Sequence, residues 1–149
     1  MNVNLEVVSL PVSDVDRALE FYRDRLGWRV DADIKGGDFR VVQLTPTGDG
    51  HTSIVFGSGI PTAPPGSQRH SELVTSDIVA TREELIARGV NVTEVYHGPG
   101  SPFFPQARVP GPDPDRASYN SYASFEDPDG NGWTLQEITT RLPGREPSA

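Results

Sequence analysis

The sequence repeats one order of helix and strand signals, and this internal repeat constrains the fold more than any other feature. An apolar stretch ends in Ser13-Asp14 and is followed by a helical pattern; the same dipeptide recurs 63 residues later as Ser76-Asp77, again before a helical pattern. Ser and Asp are favoured helix N-caps, so each pair predicts the start of a helix. A repeat of this length predicts two similar supersecondary units in one chain.

Each half predicts one strand, one helix and three further strands, a βαβββ order of α+β class. Apolar residues at helical or alternating spacing, interrupted by Gly and Pro turns, give the predicted element bounds. The first module, 4–57, has strands at 5–12, 28–32, 38–45 and 52–56 and a helix at 15–26. A Pro/Gly-rich linker, 58–68, precedes the second module, 69–139, with a helix at 78–88 and strands at 71–75, 90–96, 121–125 and 133–138. The tail, 141–149, is expected to be loose.

Composition and charge exclude several function classes. The chain has 149 residues, which fits a single domain, and a formal net charge of −8. This charge repels phosphate backbones and anionic lipid, so we expect no nucleic-acid or membrane partner. The absence of cysteine excludes disulfides, thiolate metal sites and a cysteine nucleophile. No stretch approaches about 18 consecutive apolar residues, so a cytoplasmic location is the default expectation.

Two segments resemble motifs of the vicinal oxygen chelate superfamily, which includes glyoxalases, bleomycin resistance proteins and extradiol dioxygenases. The first is LPVSDVDRA at 10–18, continuing to Phe21-Tyr22 and Leu26-Gly27-Trp28; the second is DPDGN at 127–131. The resemblance covers about residues 4–140. It implies that the two βαβββ modules form a cupped mixed sheet enclosing a pocket for a small molecule.

The resemblance also implies where metal ligands would lie. Superfamily members with metal chemistry place His or Glu on the first and last strand of each half. Four positions correspond here: Val7, His70, Thr134 and one that falls near Ser53. Only His70 is a good ligand, whereas a divalent ion needs about three, so we expect no standard metal centre and no cofactor. Strand alternation leaves His70, Glu72 and His51 as a fallback divalent-metal set.

Glu72 is the main candidate for chemistry. It lies two residues after His70 in a predicted strand, so both side chains should share the inward face. This strand is expected to face the cavity, and a carboxylate there is costly to bury unless it is hydrogen-bonded or paired. A role for Glu72 in the pocket is therefore favoured. His70 and His97 are the candidate catalytic partners of Glu72.

The remaining candidates are ligand-binding residues. The long Pro-rich segment from 97 to 120 is typical of a lid, a binding loop or an interface arm, with packing on its own domain as the alternative. Alternation requires either Arg40 or Gln43 to point inward, because they face opposite sides. The remaining members of this set are Phe103, Phe104, Arg108, Tyr119, Tyr122, Thr134 and Gln136.

Two functions remain open at this stage. The first is a metal-independent binding protein that resembles the bleomycin resistance branch and sequesters a small aromatic or cationic compound. The second is an enzyme of the lyase, isomerase or dioxygenase branches, in which Glu72 acts as general base with His70 or His97, with or without a divalent metal. In both cases the partner is a small-molecule ligand or substrate, and a homodimer is expected.

Overall fold

The first half of the chain forms a four-stranded mixed sheet in the computed structural model, which describes residues 1–145. Its strands are β1 (Val7–Ser9), β2 (Arg29–Gly36), β3 (Phe39–Thr45) and β4 (Ser53–Ser58). Their order is β1-β4-β3-β2, with β1 parallel to β4 and the other pairs antiparallel. β1 is shorter than the predicted 5–12, although hydrogen bonds from Ser53 N to the Glu6 carbonyl and from Leu10 N to the Val55 carbonyl continue beyond both its ends.

The first helix changes from α to π geometry halfway along. α1 (Val15–Leu19) begins at Asp14, whose carboxylate accepts the Arg17 N–H, and continues as a π-helical segment (Glu20–Arg25). Leu26 N donates to the carbonyl of Phe21, five residues earlier. The neighbours Phe21 and Tyr22 are consequently both buried. The sequence predicted the extent of this helix and not its π turns.

The second half forms a five-stranded mixed sheet. Its strands are β5 (Ser71–Thr75), β6 (Tyr96–His97), β7 (Val109–Pro110), β8 (Ser121–Glu126) and β9 (Gly132–Glu137), in the order β5-β9-β8-β6-β7. β5 runs parallel to β9, and α2 (Ile78–Ala87) follows β5 with Asp77 as its N-cap. The predicted α+β fold of two βαβββ-like modules with mixed sheets is confirmed.

The predicted strand at 90–96 is wrong over most of its length. Only Tyr96 belongs to a strand, whereas 90–95 is irregular. Val90, Val92 and Val95 bury their side chains, which accounts for the strand-like apolar pattern. Apolar side chains can be buried without the hydrogen-bonded ladder of a strand. The short strand β7 is a second difference, because the sequence did not predict it.

The chain divides into two compact units. One comprises Met1–Arg69 with Glu126–Gly132, and the other comprises His70–Phe125 with the chain from Trp133 onward. The DPDGN turn therefore packs with the first unit, although its sequence lies in the predicted second module. In that unit the Asp129 carboxylate accepts hydrogen bonds from the backbone N–H (3.1 Å) and hydroxyl (2.5 Å) of Ser13.

The chain end is described only in part. Of the predicted loose tail, residues 146–149 lie outside the described residues. Within 141–145, Leu142 N donates to the Tyr119 hydroxyl, so the start of this segment is attached. No helix among the described residues is long and apolar enough to cross a membrane.

A side chain added at Gly66, in the linker, is expected to be strongly destabilising. It has φ +76°, and a Cβ there would lie 2.1 Å from the Asp129 carbonyl oxygen. Gly66→Ala should therefore lower the free energy of unfolding by about 3 kcal/mol. Gly37→Ala is the matched control, because Gly37 also has a positive φ (+55°) and nothing lies within 4 Å of its Cβ position. That control should lose only about 1 kcal/mol. Equal losses in urea unfolding would contradict the close approach.

Candidate functional site

One face of the second sheet presents a continuous row of polar side chains. Glu72 on β5 is directly opposite Thr134 on β9. The Thr134 hydroxyl is 3.5 Å from that of Ser124 on β8, which is 2.6 Å from the hydroxyl of Tyr96 on β6. Opposite residues of neighbouring strands point to the same side of a sheet. The row therefore crosses four strands on one side.

Two tyrosines give this face its aromatic character. The rings of Tyr96 and Tyr122 stack with centroids 5.7 Å apart and planes inclined by 25°, and both residues are buried. The Tyr122 hydroxyl donates to the Tyr119 carbonyl (2.5 Å), which also accepts from Gln136 Nε2 (3.1 Å). Burial raises the pKa of Tyr122, so its hydroxyl stays protonated as a donor at neutral pH. We call this the polar–aromatic face, comprising His70, Glu72, Tyr96, Tyr122, Ser124, Thr134 and Gln136.

His70 and Glu72 form a pair at the edge of this face. His70 Nε2 is 3.0 Å from Glu72 Oε1, and the ring of Phe103 packs against the imidazole with a centroid distance of 4.5 Å. The side chain of Glu72 is 38% exposed. It is therefore more hydrated than a carboxylate enclosed in a cavity, because β5 is an edge strand of its sheet. Strand alternation correctly predicted that the two side chains lie together.

The covering loop, residues 98–108, connects β6 to β7 and lies on the polar–aromatic face. The guanidinium carbon of Arg108 is 4.1 Å from the centroid of the Tyr96 ring, a cation–π contact. Arg108 Nε also donates to the Ser101 carbonyl at 3.2 Å. A Cβ at Gly98 would lie 2.8 Å from the Ala107 carbonyl oxygen, so the two ends of the loop meet closely. Of the predicted loop residues, Phe103 and Arg108 touch the face, and both Phe103 (62% exposed) and Phe104 (57% exposed) keep most of their surface open to solvent.

The segment after β7 is held by an ion pair between a partly exposed arginine and a buried carboxylate, which the sequence did not predict. Arg116 donates two hydrogen bonds to the Glu137 carboxylate (2.9 and 2.5 Å), which also accepts the Ile78 N–H at the start of α2. The Arg116 guanidinium holds the pKa of Glu137 below its usual range. A charged residue in a strand predicted to be buried was the available signal, because such a carboxylate needs a partner.

Tyr119 acts through its backbone rather than its ring. Its φ of +72° is unusual for a residue with a side chain, and its N–H donates to the Glu137 carbonyl. Its own carbonyl accepts the hydrogen bonds from Tyr122 and Gln136. Tyr119 therefore positions two residues of the face through its carbonyl, and its predicted contact with ligand stays a prediction.

His97 and Arg40 are engaged elsewhere. His97 Nδ1 donates to the Gly111 carbonyl at 2.7 Å, and alternation places it on the side of β6 opposite Tyr96. Arg40, in the first unit, binds the carboxylates of Asp16 (2.6 Å) and Asp33 (2.8 Å) and holds the pKa of both below the usual range. His97 therefore does not lie beside Glu72 as predicted, whereas the ligand-binding role of Arg40 stays a prediction. Gln43 is half-buried on the side of β3 opposite Arg40.

The two strand pairs differ in register. In the second sheet Thr134 is opposite Glu72, not His70. In the first sheet Val7 is opposite Ser53, whose hydroxyl is hydrogen-bonded to that of Thr45. The helix N-caps Asp14 and Asp77 keep the offset of 63, so His70 remains the predicted counterpart of Val7.

The residues present do not fit a divalent metal centre. Val7 has no donor atom, and the Thr134 hydroxyl is a weak ligand beside Ser124. Within residues 1–145 no group of three or more His, Asp or Glu is placed to hold a metal. The fallback set of His70, Glu72 and His51 is therefore not assembled.

Comparison with known proteins gives one family. Residues 4–135 match the model of the Glyoxalase/Bleomycin resistance protein/Dioxygenase superfamily. A search of curated protein sequences found no significant match.

Solved structures agree with this assignment. TnmS3, an antibiotic binding protein from Streptomyces sp. CB03234, is 32% identical with a TM-score of 0.70, over 93% of this chain and 98% of that chain. A glyoxalase/bleomycin resistance protein from the same strain is 33% identical with a TM-score of 0.66, over 90% and 100%. A superfamily member from Sphaerobacter thermophilus DSM 20745 is 26% identical with a TM-score of 0.63, over 91% and 98%.

Proposed function

We propose that this chain, which belongs to the glyoxalase/bleomycin resistance protein/dioxygenase superfamily, binds a small aromatic molecule on its polar–aromatic face and sequesters it unchanged. The observation that carries the proposal is the stack of Arg108, Tyr96 and Tyr122. Aromatic faces bind flat apolar ligands, and a few fixed polar groups then determine orientation. Hydroxyl and amide groups of Ser124, Thr134 and Gln136 supply such polar groups beside the rings.

The relatives support binding rather than a particular chemistry. TnmS3 is described as an antibiotic binding protein and shares 32% of its residues with this chain. We therefore propose an aromatic antibiotic or a similar natural product as the ligand class. The poor fit of the residues to a metal centre also favours binding, because the metal-dependent members of such a fold need those ligands.

One observation favours a second function, that of a metal-independent lyase or isomerase. The Glu72 carboxylate lies 3.0 Å from His70 Nε2. If that nitrogen carries the proton, Nδ1 keeps its lone pair and the dyad is suited to take a proton from carbon beside a carbonyl. Sequestration is preferred because the aromatic stack is the more extensive feature.

The experiment is a titration followed by recovery of the ligand. Purified protein is titrated with an anthracycline, a tetracycline and bleomycin while the fluorescence of its tryptophans, of which Trp133 lies on β9, is recorded. We expect at least one to bind with a dissociation constant of about 1 μM or tighter, and mass spectrometry to recover it unchanged. Tyr122→Leu keeps an apolar side chain and should weaken binding by about 30-fold or more. The control Arg88→Gln changes an exposed ion pair on α2 and should bind as wild type.

Chemical change of the recovered ligand would favour the enzyme. In that case Glu72→Gln should lower the turnover rate by about two orders of magnitude or more. Absence of binding to every compound in the panel would contradict sequestration. The homodimer stays a prediction, which light scattering on the purified protein tests.

A further inference from the structure

Arg108 is a half-buried cation without an acidic partner. It forms no ion pair within residues 1–145, although eight other arginines do. Its Nε bonds the Ser101 carbonyl and its guanidinium lies over the Tyr96 ring, which leaves the terminal nitrogens as available donors. Most buried or partly buried charges are paired, so this cation is suited to a ligand oxygen.

Ser101 gives a second, independent indication at the same place. The residue is fully buried, and its hydroxyl has no hydrogen-bond partner among the described residues. A buried hydroxyl without a partner destabilises the fold, so such groups are rare unless a ligand or water satisfies them. The backbone of Ser101 is already bonded to Arg108. The covering loop therefore holds a second donor without a partner, on the residue whose backbone carbonyl Arg108 binds.

Glu72 marks the opposite end of the polar–aromatic face. One carboxylate oxygen is bonded to His70, and no hydrogen bond reaches the other within the described part of the chain. Glu72 is the only carboxylate of the face as defined above. Its free oxygen accepts a hydrogen bond from an amine or a hydroxyl.

The two ends are separated by the width of four strands. Glu72 lies on β5, and Arg108 packs on Tyr96 of β6, with β9 and β8 between these strands. Strands are about 4.8 Å apart, so three intervals give about 14 Å. Thr134, Ser124 and Tyr122 lie on the sheet between these two ends, an arrangement that suits an extended flat molecule.

We infer that the ligand is an elongated aromatic molecule with unlike ends, an anionic or carbonyl oxygen bound by Arg108 and Ser101 and a hydrogen-bond donor, such as an amine, bound by Glu72. This inference rests on the proposed function and specifies its ligand class. It also explains how a chain of net charge −8 accommodates a ligand that carries a negative group.

The test uses three biphenyl probes in calorimetric titrations. 4'-(Aminomethyl)biphenyl-4-carboxylic acid has both ends, biphenyl-4-carboxylic acid has only the anion, and 4-(aminomethyl)biphenyl has only the amine. The two-ended probe should bind about tenfold more tightly than either single-ended probe, because it makes one more hydrogen bond to a charged group.

Variants assign each end. Arg108→Gln should weaken both carboxylate probes by about tenfold and leave 4-(aminomethyl)biphenyl within about twofold of wild type. Glu72→Gln should weaken both amine probes and leave biphenyl-4-carboxylic acid unchanged. Ser101→Ala should weaken the carboxylate probes by about threefold or more without loss of stability, because its hydroxyl has no partner to lose. This variant keeps the test valid if Arg108→Gln fails to fold.

The controls are Arg88→Gln and Glu84→Gln. Arg88 and Glu84 pair with each other at 2.9 Å at the end of α2. Their replacements remove the same charges as Arg108→Gln and Glu72→Gln, but away from the face. Equal affinity for the three probes, equal weakening of all probes by one variant, or no binding of any probe would overturn the inference. The proposed function would then still be decided by the antibiotic titration, in which at least one compound would bind if the face is aromatic but not two-ended.

Discussion

Asp127→Ala should lower the free energy of unfolding by about 4 kcal/mol. Asp127 is 5% exposed, and its carboxylate accepts four hydrogen bonds. Oδ2 accepts the Tyr22 hydroxyl and Asn131 Nδ2 (both 2.8 Å), and Oδ1 accepts the backbone N–H groups of Asp129 and Asn131 (both 2.9 Å). Tyr22 and Asn131 are fully buried. Removing the carboxylate takes an acceptor away from each of these four donors, at about 1 kcal/mol or more each.

The measurement is urea unfolding at neutral pH, with Asp49→Ala as the control. Asp49 lies in the Gly48-Asp49-Gly50 turn and is exposed, so its replacement should change stability by less than about 0.5 kcal/mol. A loss of less than about 1 kcal/mol for Asp127→Ala would show that the turn is held by its backbone alone.

Glu137→Gln should lower the free energy of unfolding by about 2 kcal/mol at pH 7 and change its pH dependence. Glu137 is 1% exposed and binds Arg116 through both oxygens. An amide cannot accept both bonds, whereas water still reaches the partly exposed Arg116, so the loss is smaller than for a fully buried pair.

The sign of the pH effect follows from the lowered pKa of Glu137. The folded state binds its proton less readily than the unfolded state, where the ordinary value is 4.5. The stabilisation is therefore complete above that value and lost as the pH falls through the lower folded value. The stability difference between wild type and Glu137→Gln should accordingly shrink below pH 4.5.

Glu84→Gln is the control for this prediction, because its carboxylate is paired with Arg88 and is 65% exposed. An exposed pair contributes less than about 1 kcal/mol. A constant difference between wild type and Glu137→Gln from pH 7 to pH 3 would contradict the assignment.

The regular elements were largely predictable because their signals are local. Asp14 and Asp77 cap the two helices as expected, and alternation placed His70 beside Glu72. The strand predicted at 90–96 shows the limit of apolar patterns, because Val92 is buried although its segment is not part of a strand.

The site was only partly predictable because it depends on contacts between distant residues. Arg116 and Glu137 are 21 positions apart, and the left-handed backbone of Tyr119 has no glycine to signal it. Arg108 was among the predicted ligand residues on composition alone. Its contact with Tyr96 and the unpartnered hydroxyl of Ser101 emerge only from the folded loop.

The central claim is that the ligand lies on the polar–aromatic face, and amide NMR spectra recorded during titration with the tightest-binding antibiotic test it most directly. We expect the largest shift changes at Glu72, Tyr122 and Thr134 and in the covering loop, with Asp49 and the exposed residues of α2 unchanged. Shift changes confined to the first unit, or to α2 and the side of β9 that carries Trp133, would contradict the account.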